Sequence, residues 1–334
     1  MQYWTSLDQV PRGYGPSVVT LGNFDGVHRG HQQIIKTLVG WARSTGGNAV
    51  AVTFWPHPAQ VHRPETAPQL ITGLEDRLEL LAGLGLDAAL VLPYSEEFAR
   101  TSAEQFVIDY LVRPLATATI VVGRDVRFGH QNEGNLQTMI SLGGRYGFEV
   151  AVVDDAGDHG LGFAARRWSS TWVRELLDSG KVDQVTSVLG RRHRLRGSIV
   201  GGDARGRDLG FPTANIGPDL AGFVPADGIY AGYLEVVSQR WDGFEVEITE
   251  GAHPQTKLPA AISIGTNPTF GGTERRVEAY VLDRTDLNLY DKQVVLEFAK
   301  FLRLTEAFDS SDELITQMHA DVAQARSVLA ADNQ

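Results

Sequence analysis

From Ser17 to about Val153 the chain alternates short β-branched apolar runs with longer stretches of helical period. The runs are SVVTL (17–21), NAVAVTFW (48–55), AALVLPY (88–94), ATIVVG (118–123) and FEVAVV (148–153). Between them, Glu75–Leu84 and Ser102–Leu111 read as helices, and Ile34, Ile35, Leu38 and Val39 recur at helical spacing. Strands alternating with helices of this length predict βαβ units and a parallel sheet. After Arg191 the texture changes. LRGSIV, GIYAGYLEVV, FEVEIT, PAAISIG, RRVEAYVLD and KQVVLEFAKFLR are short strand-like runs between Gly/Pro turns, which predict a small antiparallel barrel or sandwich. A last amphipathic helix is expected over Asp312–Leu329, capped by Ser310 or Ser311. The polar loop around Glu250–Lys257 reads as an exposed hairpin extension. The change near Leu189–Arg191 divides the chain into domains 1–188 and 189–334.

Composition narrows the class. With 334 residues, 43% apolar and 21% charged, the chain has material for a core in each half. No stretch is long and apolar enough to span a bilayer, and MQYWTSLDQVPRGYG lacks a basic start followed by an apolar run, so a cytoplasmic protein with no membrane partner is expected. The absence of Cys excludes disulfides, cysteine metal sites and a thiol nucleophile. The net charge is −11, shared as 15 basic against 20 acidic residues over 1–186 and 15 against 21 over 187–334, which argues against a nucleic-acid partner. Arg191–Arg207, with six arginines, is a local exception and fits a phosphate-binding loop or a solvated domain junction. A homo-oligomer is left open.

Ligands of open parallel sheets bind outside the strand C-terminal ends. Three candidate loops fall there: GNFDGVHRGH (22–31), Trp55-Pro56-His57-Pro58 and Gly123-Arg124-Asp125. In the first, His31 lies in the opening turn of a helix, where free N–H groups and the positive dipole end attract anions. His28 and His31, three apart, face the same way and can donate together to one phosphate. The competing readings are an ordinary surface pair or a zinc pair, the latter disfavoured because there is no Cys and no second pair at ligand spacing.

With these pieces placed, the chain resembles the prokaryotic bifunctional riboflavin kinase/FAD synthetase family over almost its whole length. GNFDGVHRGH, FWPHP (54–58), VVGRDVRFG (121–129) and SSTWVR (169–174) look like successive elements of its adenylyltransferase domain. GRDLGFPTANI (206–216), DGIYAG (227–232), IGTNPTFGG (264–272) and RRVEAYVLD (275–283) look like those of its kinase domain. The resemblance implies a Rossmann-like nucleotidylyltransferase domain followed by an antiparallel β-barrel kinase domain with a terminal helix. It departs from the family pattern at Trp55, where Asp is frequent, at Val126, where an aromatic is common, and at Trp172, where a basic residue often stands. A kinase whose first domain has lost turnover is the alternative those departures raise.

The resemblance implies two reactions, with riboflavin, FMN and ATP as the small-molecule substrates and Mg²⁺ as the cofactor. In the first domain AMP passes from ATP to the phosphate of FMN. His28, His31 and Arg174 are the implied catalytic residues, joined in binding ATP by Asn23, Gly123, Asp125, Ser170 and Thr171, with His57 toward the flavin phosphate or the pyrophosphate. In the second domain ATP phosphorylates the ribityl hydroxyl of riboflavin, with Glu278 as general base. Thr213 and Asn215 are the implied Mg²⁺ ligands and ATP contacts, Gly202 and Arg207 lie along the phosphates, and Arg303 lies on the flavin side.

Overall fold

The computed structural model describes residues 1–154, 166–201, 210–237, 257–266, 275–284 and 286–331. The expected run FEVEIT, Gly202, Arg205, Arg207, the TNPTFGG segment beyond Thr266 and the loop from Glu250 to Thr256 lie outside these residues. The described chain forms two compact units. One holds Met1–Gln69 and the described residues of 74–169; the other holds Leu70–Gly73 and the described residues from Ser170 onward.

The first unit is built on six parallel strands, β1 (Gln2–Trp4), β2 (Ser17–Leu21), β3 (Asn48–Trp55), β4 (Ala88–Pro93), β5 (Thr117–Gly123) and β6 (Glu149–Val153), in the order β1-β4-β3-β2-β5-β6. Their apolar residues are buried because helices cover a parallel sheet: Val18, Val19, Val50, Val52, Leu90 and Ile120 are all at most 1% exposed. Helix α1 (Arg29–Thr45) buries Ile35, Leu38 and Ala42 and ends at Gly46 in the left-handed region. Short helix α2 (Pro58–His62) follows β3, and helix α3 (Leu74–Ala82) precedes β4. The order reverses at β2, whose neighbours are β3 and β5. The crevice at the β2 and β5 C-terminal ends is therefore the topological switch point. The helix expected over Ser102–Leu111 begins as an α-helix at Ala103–Phe106, with Ser102 as its cap, and then widens into a π-helical turn over Val107–Val112.

The second unit carries a closed antiparallel barrel of six strands: β7 (His193–Val200), β8 (Thr213–Ile216), β9 (Gly228–Val237), β10 (Leu258–Gly265), β11 (Arg276–Val281) and β12 (Gln293–Arg303), in the cyclic order β10-β11-β8-β7-β12-β9. Its interior is lined by alternate residues such as Leu195, Leu234, Ile262, Ala279 and Leu296, each at most 1% exposed. A terminal helix, Ser311–Ala331, packs Ala325 and Leu329 against Ala231, Tyr233 and Leu282. Its start is marked by Ser310, whose hydroxyl accepts from the Glu313 N–H at 3.2 Å. Within the Arg191–Arg207 cluster, Arg194 and Arg196 are β7 residues, and Arg196 is buried. Arg192 lies over the Tyr233 ring and 3.8 Å from Glu297. Arg194 and Arg196 thus belong to the barrel wall, and Arg192 packs against it.

Candidate active sites

The loop after β2 is held in an unusual backbone. Phe24 and Val27 adopt positive φ, 48° and 40°, a region costly for bulky and β-branched residues. Both side chains are 1% exposed, so burial holds the strain. That conformation delivers His28 to the N-cap of α1, where its Nδ1 accepts the His31 N–H at 3.4 Å. One of the helix's open N–H groups is thereby satisfied by a side chain of the same turn. The two imidazoles stack, with centroids 3.7 Å apart and planes 21° apart. Gly30 permits this: a Cβ there would meet the His28 ring at 3.2 Å.

Proton placement follows from these contacts. The His28 Nδ1 accepts a hydrogen bond, and the His31 Nδ1 is buried with no hydrogen-bond partner among the described residues. A bare lone pair is the cheaper group to bury unpaired, so both neutral rings carry their proton on Nε2. Burial is the largest cause that holds the His31 pKa well below the ordinary imidazole value; the repulsion that two protonated stacked rings would meet and the charges of Arg77 and Arg167 add to it.

The other expected residues of this unit lie on the same edge of the sheet. Gly123 closes β5, next to β2, and a Cβ on it would stand 3.1 Å from Asp125 Oδ1 and 3.7 Å from Ile34 of α1. The Asp125 carboxylate is exposed and pairs with Arg167 at 2.7 Å. Asn23 is half-buried, and its backbone carbonyl accepts from the Thr53 hydroxyl at 3.3 Å. His57 caps α2: its Nδ1 accepts from the Ala59 N–H at 3.1 Å, while Gln60 returns a side-chain acceptor to the His57 N–H. Ser170, Thr171 and Arg174 open the helix Ser170–Asp178, whose residues count with the second unit. Of the three positions at which the resemblance leads one to expect other residues, Val126 packs on the sheet core and Trp172 is buried in that helix.

Arg77 escaped the sequence reading. It is 0% exposed, and none of its three guanidinium nitrogens has a hydrogen-bond partner among the described residues. Its guanidinium carbon lies 5.7 Å from the centroid of the Trp55 ring, and the Asp25 charge opposes the fall in pKa that burial causes. The signal was available, because Arg77 precedes Leu78 and stands four residues before Leu81, on the buried face of α3.

In the second unit the register builds the site. Across the β8–β11 ladder Glu278 faces Asn215, Ala279 faces Ala214, and Tyr280 faces Thr213. Directly opposed residues share a face, so Thr213, Asn215, Glu278 and Tyr280 lie together on one face, and Ala214, Val277, Ala279 and Val281 are buried on the other. The Thr213 hydroxyl donates to Glu278 Oε2 at 3.3 Å. Ser263, opposite Glu278 on β10, joins this face; it carried no signal because only the barrel register brings it there. Arg303 is committed elsewhere: its Nε and Nη2 donate to both Asp321 oxygens at 2.7 Å, and its Nη1 donates to the Leu304 carbonyl at 2.9 Å. It ties β12 to the terminal helix. Among the described residues no cluster of three His, Asp or Glu could hold a metal ion, and no helix is long and apolar enough to cross a membrane.

A capped strand–helix turn at the switch point of a parallel sheet, together with a hydroxyl–amide–carboxylate face on a closed barrel, defines an enzyme with one nucleotide-handling module in each half. Models of two families match it, FAD synthetase over residues 12–165 and riboflavin kinase over 189–329. The bifunctional riboflavin kinase/FMN adenylyltransferase of Escherichia coli (strain K12) is 33% identical over 321 residues, covering 96% of this chain and 95% of its own. That of Bacillus subtilis (strain 168) is 31% identical over 313 residues, covering 92% and 91%. A solved Streptococcus pneumoniae structure described as a macrolide-efflux protein is similar with a TM-score of 0.80 at 28% identity, covering 97% of this chain and 98% of that one. The chain belongs to the bifunctional riboflavin kinase/FMN adenylyltransferase family, with the adenylyltransferase in its N-terminal half and the kinase in its C-terminal half.

Proposed function

We propose that His28 and His31 hold the phosphates of ATP while FMN attacks the α-phosphate, and that Glu278 is the base that readies riboflavin in the second unit. What carries the kinase assignment is the β8–β11 register, which gathers Thr213, Asn215 and Glu278 on one face. A ribityl hydroxyl is a poor nucleophile until its proton has somewhere to go, and a carboxylate beside the phosphate site supplies that. The Thr213 hydroxyl, by donating to Glu278, orients the carboxylate and keeps its own lone pairs outward. Thr213 and Asn215 offer two hard oxygens, a set that suits Mg²⁺ shared with substrate phosphates better than a closed protein cage. Bound there, Mg²⁺ would neutralise phosphate charge.

The adenylyl step needs no base, since an FMN phosphate is already ionised. The two Nε2–H donors and the α1 N-terminus then act by alignment and charge stabilisation. Asn23, Gly123 and Asp125 border the nucleotide, and His57, with Nδ1 engaged in its cap, offers Nε2 toward a phosphate. Ser170, Thr171 and Arg174 are assigned to the ATP phosphates on the motif SSTWVR alone.

Flavin chromatography tests both halves. Glu278→Ala should lower FMN formation from riboflavin at least a hundredfold, with FMN-to-FAD conversion kept; His28→Ala with His31→Ala should do the reverse. Equal loss of both activities in either variant would overturn the assignment.

A further inference from the structure

Arg77 is placed badly for stability in three ways at once. It is fully buried, its guanidinium donates to nothing among the described residues, and it lies in the first turns of α3, where the helix dipole disfavours a cation. Among the described residues the aromatic face of Trp55 is the contact that favours the charge at close range, and a cation–π contact offsets only part of the desolvation cost. Asp25 acts on it from a distance without forming a hydrogen bond. A chain under pressure only to fold would place Met or Leu here. The cation instead lies within electrostatic reach of His31 and beside Trp55, the last residue of β3, at the sheet edge where the nucleotide motifs gather.

We propose that Trp55 and Arg77 form a specificity-determining pair for the adenylyl-transfer site: Trp55 shields the buried guanidinium without neutralising it, and the charge, which no hydrogen-bonded carboxylate cancels among the described residues, strengthens the hold on anionic substrates. The proposal rests on the assignment of FAD synthesis to the His28–His31 site. Arg77 is a positioning residue, acting through its field in a low-dielectric surround, where one unit charge is felt far more strongly than in water. It has a second effect on the same atoms. Burial is what chiefly keeps His31 neutral, and the neighbouring Arg77 cation adds to it, so the His31 imidazole presents an N–H donor to phosphate with no proton to shed first. A carboxylate at position 55 would pair with Arg77, repair the unsatisfied guanidinium and cancel the field. Trp55 therefore exchanges stability for anion affinity.

The experiment measures KM for ATP and for FMN in FAD formation by the full chain, with riboflavin phosphorylation by the same preparation as the check that the second unit works, and thermal melts alongside. The variants are Trp55→Asp, Trp55→Asn and Arg77→Met. Asp and Asn differ in charge and hardly in size, so their ratio isolates the field from the loss of the indole. The KM of Trp55→Asp should exceed that of Trp55→Asn by about tenfold, and Arg77→Met should raise KM by a similar factor while melting at or above the wild-type temperature. A structural arginine gives the opposite signature, a lower melting temperature with KM unchanged. That result, or equal KM values for the Asp and Asn variants, would overturn the proposal. Absence of FAD from the wild-type chain would instead sink the site assignment on which it rests.

Discussion

At the scale of single residues, the strand–helix turn is held by two stacked imidazoles, 3.7 Å apart, with Gly30 leaving room for the His28 ring. H-x-x-H at a strand–helix turn was enough to place His31 in the first turn of α1 and His28 beside it. It did not reveal that one ring caps the other's N–H, nor that Gly30 is there because the His28 ring lies against it. Those facts depend on side-chain rotamers and tertiary neighbours, which no one-dimensional period encodes. They have a measurable consequence. His31 binds its proton less readily folded than unfolded, with burial as the main cause, so the unfolded chain takes up a proton that the native state refuses. The stability contributed by the neutral ring is complete above the unfolded value near 6.5 and is lost as pH falls from there toward the depressed folded value. Thermal melts between pH 8 and pH 5 should show the wild type losing more of its melting temperature than His31→Gln, which cannot titrate. Parallel losses would remove His31 from the acid balance.

Elements were legible where periodicity and punctuation agreed. SVVTL and NAVAVTFW are strands with the expected bounds, since a short β-branched run ended by Gly or Pro has little alternative. β1 was missed because three residues carry no period; it exists through its pairing with β4. The π-helical turn at Val107–Val112 was invisible for a related reason, as the apolar spacing there suits an α-helix equally well. The terminal helix was expected, but its anchor was not. Arg303, read as a flavin contact by resemblance, donates both arms of its fork to Asp321, which also accepts from Gln317 at 2.9 Å. Both ends of the pair are largely covered, with side-chain exposures of 17% and 7%. Breaking such a pair leaves one charge stranded. Asp321→Ala should therefore cost about 2–3 kcal/mol in urea unfolding, toward the low end for a buried pair because Arg303 keeps some contact with water. A cost below roughly 0.5 kcal/mol would show that the pair is only decorative.

At the scale of the whole molecule, the shift from a helix-rich to a strand-rich texture near Arg191 announced two modules and their classes. The boundary drawn there puts the stretch 170–188 in the first domain, whereas the contacts count it with the second unit. Ser170–Asp178 and Val182–Leu189 are amphipathic helices, and an apolar stripe names a face without naming its partner; the contacts count both with the second unit. Function at this scale turns on FMN, product of one half and substrate of the other. His28, His31 and Asp125 belong to one unit, and Thr213, Asn215 and Glu278 to the other. A chain disabled at Glu278 and a chain disabled at His28 and His31 should therefore complement each other when mixed, given riboflavin, ATP and Mg²⁺. FAD should appear after a lag, because FMN released by one chain must accumulate before the other captures it, and the lag should shorten as enzyme concentration rises. If the mixture makes FMN but no FAD, while the Glu278 variant alone still converts added FMN, then the intermediate does not travel between chains through solution. The two halves would then be joined for a kinetic reason, since each chain would have to keep the FMN it makes.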